Sequence, residues 1–343
     1  MSIQIFEVSN RRELDIFVRM PGVVYYNDPL WLPPPPHQVV NKLMKIPPEN
    51  LHLLVAVENN NVVGRIAGMI NKQHFENDTA LFGFFESIDN KTIAKELLNT
   101  VERWAASKNY HRLNGPVSYN TNDSIGMLVE GFDLPPQDSM PYNPYYYSSL
   151  LESAGYSKYE DLLAYMWNDR IPVPEKLVRV SKKARANKGL AIRQLNLSNI
   201  QKEAQVLSTI HNETMQDNWG AERLPIADAA NYLRNYRSYA DPNLLMVAEV
   251  NKEPAGIMLC LPNTLNPQHK SCRVAVMAVR PKYRSKGIAA LLMHETILRL
   301  FHKGYNQAEI SLVMENNTMM NRILQKVFNF DIAKRFRLYQ KKL

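Results

Sequence analysis

The sequence predicts an α/β protein of two domains in tandem, each a mostly antiparallel mixed sheet flanked by helices. Three observations predict it. The chain has 343 residues, long for one domain and ordinary for two. Strand-like runs alternate with helix-period runs after an antiparallel start, which is the order of a mixed α/β sheet. One module is also legible twice along the chain. With 45% hydrophobic and 22% charged residues, there is enough apolar material for two cores without disulfide staples.

The repeat rests on anchors at equal intervals. "LHLLVAVENNNVVGRIAGMI" (51–70) and "LLMVAEVNKEPAGIMLCL" (244–261) each read as a β-hairpin around a polar turn. Val55-Ala56 precedes Gly64 by the interval that separates Val247-Ala248 from Gly256. Downstream, Asn143, Tyr156 and Tyr165 are spaced as Asn317, Phe330 and Tyr339 are. "YYYSSLLESAGY" and "MMNRILQKVFNF" each predict a helix ending at a residue that tolerates the left-handed conformation, Gly155 or Asn329. Each then leads into a strand, "EDLLAYMW" or "KRFRLYQK". The boundaries that follow are a first domain at 1–170, a linker at 171–189 and a second domain at 190–343.

The second copy opens with the strand "LAIRQLN", and "IQKEAQVLSTIHNETMQ" and "IADAANYLRNYRSYA" give two helices. The hairpin follows, then a strand at 271–279, a helix at 286–302, a strand at 308–313, a helix at 317–327 and a final strand. In the first copy the strand "TALFGFFES" runs into "IDNKTIAKELL". "WLPPPPHQ" (31–38) reads as a polyproline loop.

Composition narrows the chemistry. A net charge of +8 favours an anionic partner, whether a phosphorylated cofactor, an acidic carrier protein or nucleic acid. The two cysteines, Cys260 and Cys272, form no C-x-x-C pair, so a disulfide framework and a cysteine zinc site are not expected. The N-terminus lacks the apolar core of a signal peptide, and no run approaches the roughly 20 apolar residues of a membrane helix. A cytoplasmic location without a membrane span is the expectation. A P-loop is ruled out where Lys286-Gly287 reverses the required Gly-Lys, and no G-x-S-x-G elbow occurs. His294-Glu295 starts like a zincin helix, but the fifth position is Leu298, and no metal is expected.

"VRPKYRSKGIAALLM" (279–293) carries the strongest chemical signal. "CRVAVMAV" (272–279) is a buried-strand pattern that Pro281 stops, and a helix-period run begins after Gly287. A strand, a tight turn and a helix N-terminus gather free backbone N–H groups around one concavity, and the helix dipole adds partial positive charge. Gly287 permits close approach, Ala289 is nearly as small, and Arg284 and Lys286 add charge. The physics fits a pyrophosphate.

Val279-Arg280-Pro281 followed by Arg284-x-x-Gly287-x-Ala289 resembles the [Q/R]-x-x-G-x-[G/A] signature of the GNAT acyltransferase superfamily. Asn317 in "MENNTMMNRIL" matches the Asn that opens the helix after the next strand. The resemblance spans residues 190–343. It implies acetyl-CoA or another acyl-CoA bound with its pyrophosphate on Arg284, Ser285, Lys286, Gly287, Ile288 and Ala289. It also implies pantetheine along Ala278 and Val279, with Asn317 on the arm. The activity implied is N-acyl transfer, N-acetylation above all, to a small-molecule or peptide amine that attacks the thioester directly. The first copy has no such turn, and its Glu86 and Asp89 would repel phosphate. The chain therefore resembles tandem GNAT-like proteins with a degenerate first domain.

Where the superfamily often places a tyrosine acid, this chain has Leu324 or Gln325, and the strand before the turn carries no acidic base. Two rival readings follow: acyl-CoA binding without turnover, and a transferase with a carrier-protein or tRNA donor. The linker "IPVPEKLVRVSKKARANKG", with Lys176, Arg179, Lys182, Lys183 and Arg185, reads as a solvated basic helix or as a docking face for an acidic partner. Asp217, Asn218 and Trp219 read as an acceptor site or as a helix end with a packed Trp. Asn120, Asn122 and Asp123, with the tyrosines of "PYNPYYY" (141–147), read as a binding surface or as turn formers.

Overall fold

A computed structural model describes residues 3–72, 78–119, 124–216, 219–265 and 268–343. The chain folds as two units, one of Met1–Leu162 with Lys334–Leu343 and one of Leu163–Ala333.

The first unit contains β1 (Ile3–Glu7), α1 (Arg11–Arg19), α2 (Pro21–Val24), α3 (Pro36–Leu43), β2 (Leu51–Glu58), β3 (Asn61–Met69), β4 (Thr79–Ser87), α4 (Lys91–Ser107), β5 (Arg112–Gly115), β6 (Met127–Glu130) and α5 (Tyr147–Ser153). β1, β2, β3 and β4 pair antiparallel in sequence order, and β4 pairs parallel with β5. Asn59 and Asn60 both take positive φ in the β2–β3 turn, the geometry that matches strand twist and that Asn tolerates. The proline run is a loop only as far as Pro35, because α3 starts at Pro36 with proline in its first turn. α4 buries Ile93, Ala94, Leu97, Leu98 and Val101 against the sheet, the apolar stripe that its sequence period predicts.

The strand β7 (Ser157–Asn168) enters the second unit at Leu163. This unit continues with α6 (Glu175–Arg185), β8 (Leu190–Gln194), α7 (Ile200–Thr214), α8 (Ile226–Tyr239), β9 (Leu245–Val250), β10 (Glu253–Pro262), β11 (Ser271–Val279), α9 (Ile288–Lys303), β12 (Gln307–Met314) and α10 (Thr318–Arg322). β8 to β11 pair antiparallel in order, and β11 pairs parallel with β12. The β9–β10 turn repeats the first hairpin's geometry, with Asn251 and Lys252 at positive φ. Two apolar clusters fill the sheet faces, one under α9 and one under α7 and α8. The expected helix at 317–327 is α10 followed by one π-helical turn at Ile323–Val327. Gly155 and Asn329 both take the left-handed conformation expected of them.

The units part from the sequence boundaries at both ends of the second copy. Residues 163–170 and the whole 171–189 segment fold in the second unit, and residues 334–343 fold in the first. The last strand, β13 (Asp331–Lys342), pairs antiparallel with β5 through Tyr339↔Gly115 and with β6 through Phe336↔Leu128. Phe336, Leu338 and Tyr339 are buried there. Arg337 donates to both oxygens of buried Asp161 at 2.8 and 3.1 Å, and Lys341 holds Glu102 at 2.8 Å. Equal spacing in sequence identifies a strand's place in its module; it does not say which sheet edge receives the strand.

Candidate functional site

β11 and β12 stay paired only from Ser271↔Gln307 to Val274↔Ile310. β11 then bulges: Leu259 pairs with Val276 and Cys260 with Val274, so Ala275 is the extra residue. Beyond this point the strands diverge and a cavity of about 180 Å³ opens between them and α9. Its walls are mostly apolar, with Met215, Met258, Met277, Met293, Met314 and Met320 among them and Trp167, Leu324, Phe328 and Phe330 at other positions. The sulfur side chains make the lining adaptable in shape. Among the described residues its polar lining side chains include Thr296, Ser311 and Asn317, and no side chain that titrates lines it.

The turn at 281–287 lies at the end of the same strand. A 3-10 turn at Pro281–Tyr283 leads to Ser285 at φ 65° and Gly287 at φ 75°, the residue that precedes α9. Among the described residues no side chain caps α9 and its first turn holds no acid, so its leading N–H groups and dipole are available to an anion. Arg284, Ser285 and Lys286 are exposed, and Gly287 and Ala289 are half-buried. The Ile288 side chain is in the core, so only its main chain can meet a ligand. Ala278 and Val279 pair with Ile257 and Gly256 on β10, which leaves their other strand edge toward the opening. Asn317 stands exposed at the cavity wall and caps α10, its side-chain oxygen accepting from Met320 N at 3.2 Å.

Side chains that sequence reasoning passed over support the turn. Arg280 donates two hydrogen bonds to Glu213 of α7, at 2.8 and 2.6 Å, and a third to the Pro254 carbonyl. The hydrogen bond from Arg280 holds the Glu213 carboxyl below the usual carboxylate range. Tyr283 is buried, donates to Glu253 at 2.6 Å and lies under the Lys286 ammonium. The Gly287 Cα faces α6: a Cβ there would stand 3.0 Å from the Ala184 Cβ and 3.4 Å from Val180. α6 is fastened to α9 by Ser181 Oγ to His294 Nδ1 at 2.8 Å and by an Arg185–Glu295 ion pair. The linker is thus a wall of the turn and not a free connector.

The two positions matched to the superfamily's tyrosine take different roles. Leu324 lines the cavity, and Gln325 donates to the hydroxyl of buried Tyr165, which itself donates to Asn321. A carboxylate does approach from β12. Ser311, in the cavity wall, donates to fully buried Glu309 at 2.8 Å and accepts from Arg273 Nε at 3.0 Å. Glu309 and Ser311 alternate on one strand face, a pattern that was readable in "EISLV", but nothing in the sequence placed it at a cavity.

Of the expected acceptor groups, Asp217, Asn218, Asn120, Asn122 and Asp123 lie outside the described residues. Trp219 is half-buried and does not line the cavity. Among the described residues no cluster of His, Cys, Asp or Glu could hold a metal, and no helix is long and apolar enough to cross a membrane.

The first unit treats the matching positions differently. β4 and β5 also stop pairing early, at Leu81↔Asn114, but there the main chain of 115–117 fills the gap. Val117 N donates to the Phe82 carbonyl, and a Cβ on Gly83 would overlap the Val117 oxygen. The helix that follows, α4, is closed to anions by Asn90, whose side chain accepts from Thr92 N and Ile93 N. Glu86 is taken up by Arg65, Tyr25 and Tyr147, and burial raises its pKa.

Comparison with known proteins matches both halves of the chain to one family. A profile described as the acetyltransferase (GNAT) family matches residues 23–132 and again residues 205–330. Protein YghO of Escherichia coli K12 is 29% identical, the match covering 97% of this chain and 94% of that one. The bacterial ceramide synthase of Caulobacter vibrioides is 28% identical over 99% and 98%. Among solved structures, a tandem GNAT protein from the clavulanic acid biosynthesis pathway superposes with a TM-score of 0.61 at 14% identity, covering 99% and 98% of the two chains. An N-acetyltransferase from Sphaerobacter thermophilus does so at 0.54 and 12%, covering 99% and 95%. Two profile matches spread over most of the sequence, with the fold repeated in each unit, place this chain in the GNAT acetyltransferase family as a tandem member.

Proposed function

We propose that this chain is an N-acyltransferase that moves a long acyl group from a pantetheine thioester to an amine. The observation that carries the reading is the methionine-rich cavity opening at the divergence of β11 and β12, beside an uncapped helix start. An acetyl group needs no such space. A chain of methylenes does, at about 0.8 kcal/mol for each one buried. The phosphate end of the donor would lie on Arg284, Ser285, Lys286 and the N–H groups of Gly287, Ile288 and Ala289. The arm would run along Ala278 and Val279 past Asn317. An N–H on that free strand edge would polarise the thioester carbonyl and hold the developing oxyanion.

Ser311, which lines the cavity, and Glu309, which accepts its hydroxyl, are the groups placed to accept the amine's proton. The kinship with a ceramide synthase supports the acyl length and suggests a long-chain amino alcohol as acceptor, because a ceramide is the amide of a fatty acid with such an amine.

Thiol release from acetyl-, decanoyl- and hexadecanoyl-CoA, measured against a panel of amino alcohols and peptide amines, tests the reading. Amide formation with the longer donors is expected. Tight donor binding with no thiol release by any acceptor would replace transfer with acyl-CoA binding alone, a reading that the absence of a tyrosine acid favours.

A further inference from the structure

We propose that α6 forms, with the 284–287 turn, a docking surface for an acidic carrier protein that presents the acyl group on its phosphopantetheine arm. The proposal rests on the acyl-transfer reading above.

α6 buries Leu177, Ser181 and Ala184, a face repeating at i, i+4 and i+7. Val180 flanks that face on the side where it meets Gly287. At about 100° per residue, Lys176 and Lys183 lie about 40–60° beyond Val180 on this flank, and Arg179 lies about 100° beyond it, on the outward face of the same row. All three are exposed, as are Arg284 and Lys286 across the turn. Among the described residues none of these five cations is ion-paired. Arg185, on the opposite flank, is by contrast spent on Glu295. Five unpaired cations therefore border the point where a phosphopantetheine arm would leave the protein.

Whatever is attached beyond the phosphate must lie against this surface. Beyond the pantetheine phosphate, free CoA presents the second phosphate of its pyrophosphate, which the turn itself can hold, and one 3′-phosphate, which one or two further cations satisfy. An acidic protein presents a helix face of carboxylates, and a row spaced along two turns of α6 complements it in sign and length. The row carries no aromatic side chain for base stacking, which argues against single-stranded nucleic acid. In the transfer step the amine nitrogen bonds to the acyl carbon as the C–S bond breaks. The amine's proton ends on the thiol, which stays on the carrier.

The test compares binding of apo-, holo- and hexadecanoyl-carrier protein, free phosphopantetheine and hexadecanoyl-CoA to the full chain. Holo-carrier should bind more tightly than phosphopantetheine, apo-carrier should retain salt-sensitive binding, and K176E/R179E/K183E should weaken both about tenfold or more. The same variant should leave phosphopantetheine binding within about twofold, and K182E, on the other flank, should leave carrier binding within about twofold. Thermal melts matched to wild type would show that the exposed substitutions spare the fold. Equal binding of carrier and phosphopantetheine would overturn the proposal. So would a loss of hexadecanoyl-CoA affinity as large as that for the carrier, which would assign the cations to the nucleotide phosphate. Competition by RNA for the same three residues would overturn it as well. If neither phosphopantetheine nor hexadecanoyl-CoA binds the wild type, the acyl-transfer reading itself falls, and the docking proposal with it.

Discussion

Gly287 and Ala184 meet Cα to Cβ: a Cβ on Gly287 would stand 3.0 Å from the Cβ of Ala184. Gly287 also sits at φ 75°, where an L side chain is strained. Two separate reasons therefore require glycine, and neither is contact with a ligand. Gly287→Ala is expected to cost about 1–2 kcal/mol for the backbone alone. It should also push α6 from α9 and misplace the leading N–H groups. Unfolding measurements on Gly287→Ala, Ala184→Gly and the double variant check this. The double variant should recover the steric part and keep the backbone part, so the two changes should not add.

Arg337 and Asp161 fasten the last strand into the first unit. Burial pushes the Asp161 carboxyl up, but hydrogen bonds from Arg337 and Lys158 outweigh it and hold the group below the usual carboxylate range. Arg335 adds a third cationic partner at 3.1 Å. Asp161→Ala removes the one acid that all three share and should destabilise the protein by about 3 kcal/mol. Tryptic cleavage near residue 334 should accelerate with it. An unchanged melt would mean that Phe336, Leu338 and Tyr339 hold the strand without the ion pairs.

These two contacts also mark the limits of the sequence. Hairpins, helices and the left-handed residues Gly155 and Asn329 were legible because each depends on local periodicity or on one dihedral. The uncapped start of α9 was legible for the same reason, since glycine stands where a capping side chain would. The packing of Ala184 on Gly287, the partnership of Arg280 with Glu213, and the bond from Arg273 to Ser311 join residues distant in sequence. No spacing rule encodes them. The methionines of the cavity are scattered from 215 to 320, and only the divergence of two strands brings them to one space.

Burial lowers the pKa of His52, His211 and His294 below the ordinary histidine value. The folded state keeps each neutral where the unfolded chain binds a proton. The unfolded state is therefore favoured as pH falls below about 6.5, by at most about 1.4 kcal/mol per pH unit for each histidine. Melting temperature should fall between pH 7.5 and 5.5. His294→Gln keeps a partner for Ser181 but cannot titrate, so its melting temperature should depend less on pH. A flat profile in the wild type would contradict the burial of all three.

The cavity predicts a dependence on donor length. Each methylene that enters should raise kcat/KM about fourfold, until the space is full. Met293 reaches the cavity from α9 and is half-buried. Met293→Trp should therefore shift the preferred donor to shorter chains and leave the phosphopantetheine end untouched. Rates for an acyl-CoA series from two to eighteen carbons read this directly. A wild-type optimum at acetyl would sink the assignment of the cavity to the acyl chain.

Ser311 and Glu309 make the sharpest claim about chemistry, because a hydroxyl at the cavity wall is joined there to a buried carboxylate. Glu309 is fully buried and receives the Ser311 hydroxyl, which reaches the cavity wall. A proton leaving the attacking amine can pass to Ser311 as its own proton passes to Glu309. Glu309→Gln keeps the shape and the hydrogen bond but cannot accept a proton. It should lower kcat about 100-fold with donor KM and melting temperature little changed. Ser311→Ala should reproduce this pattern. A purely structural role would lower the melting temperature or raise donor KM along with kcat loss, so a loss confined to kcat decides between them.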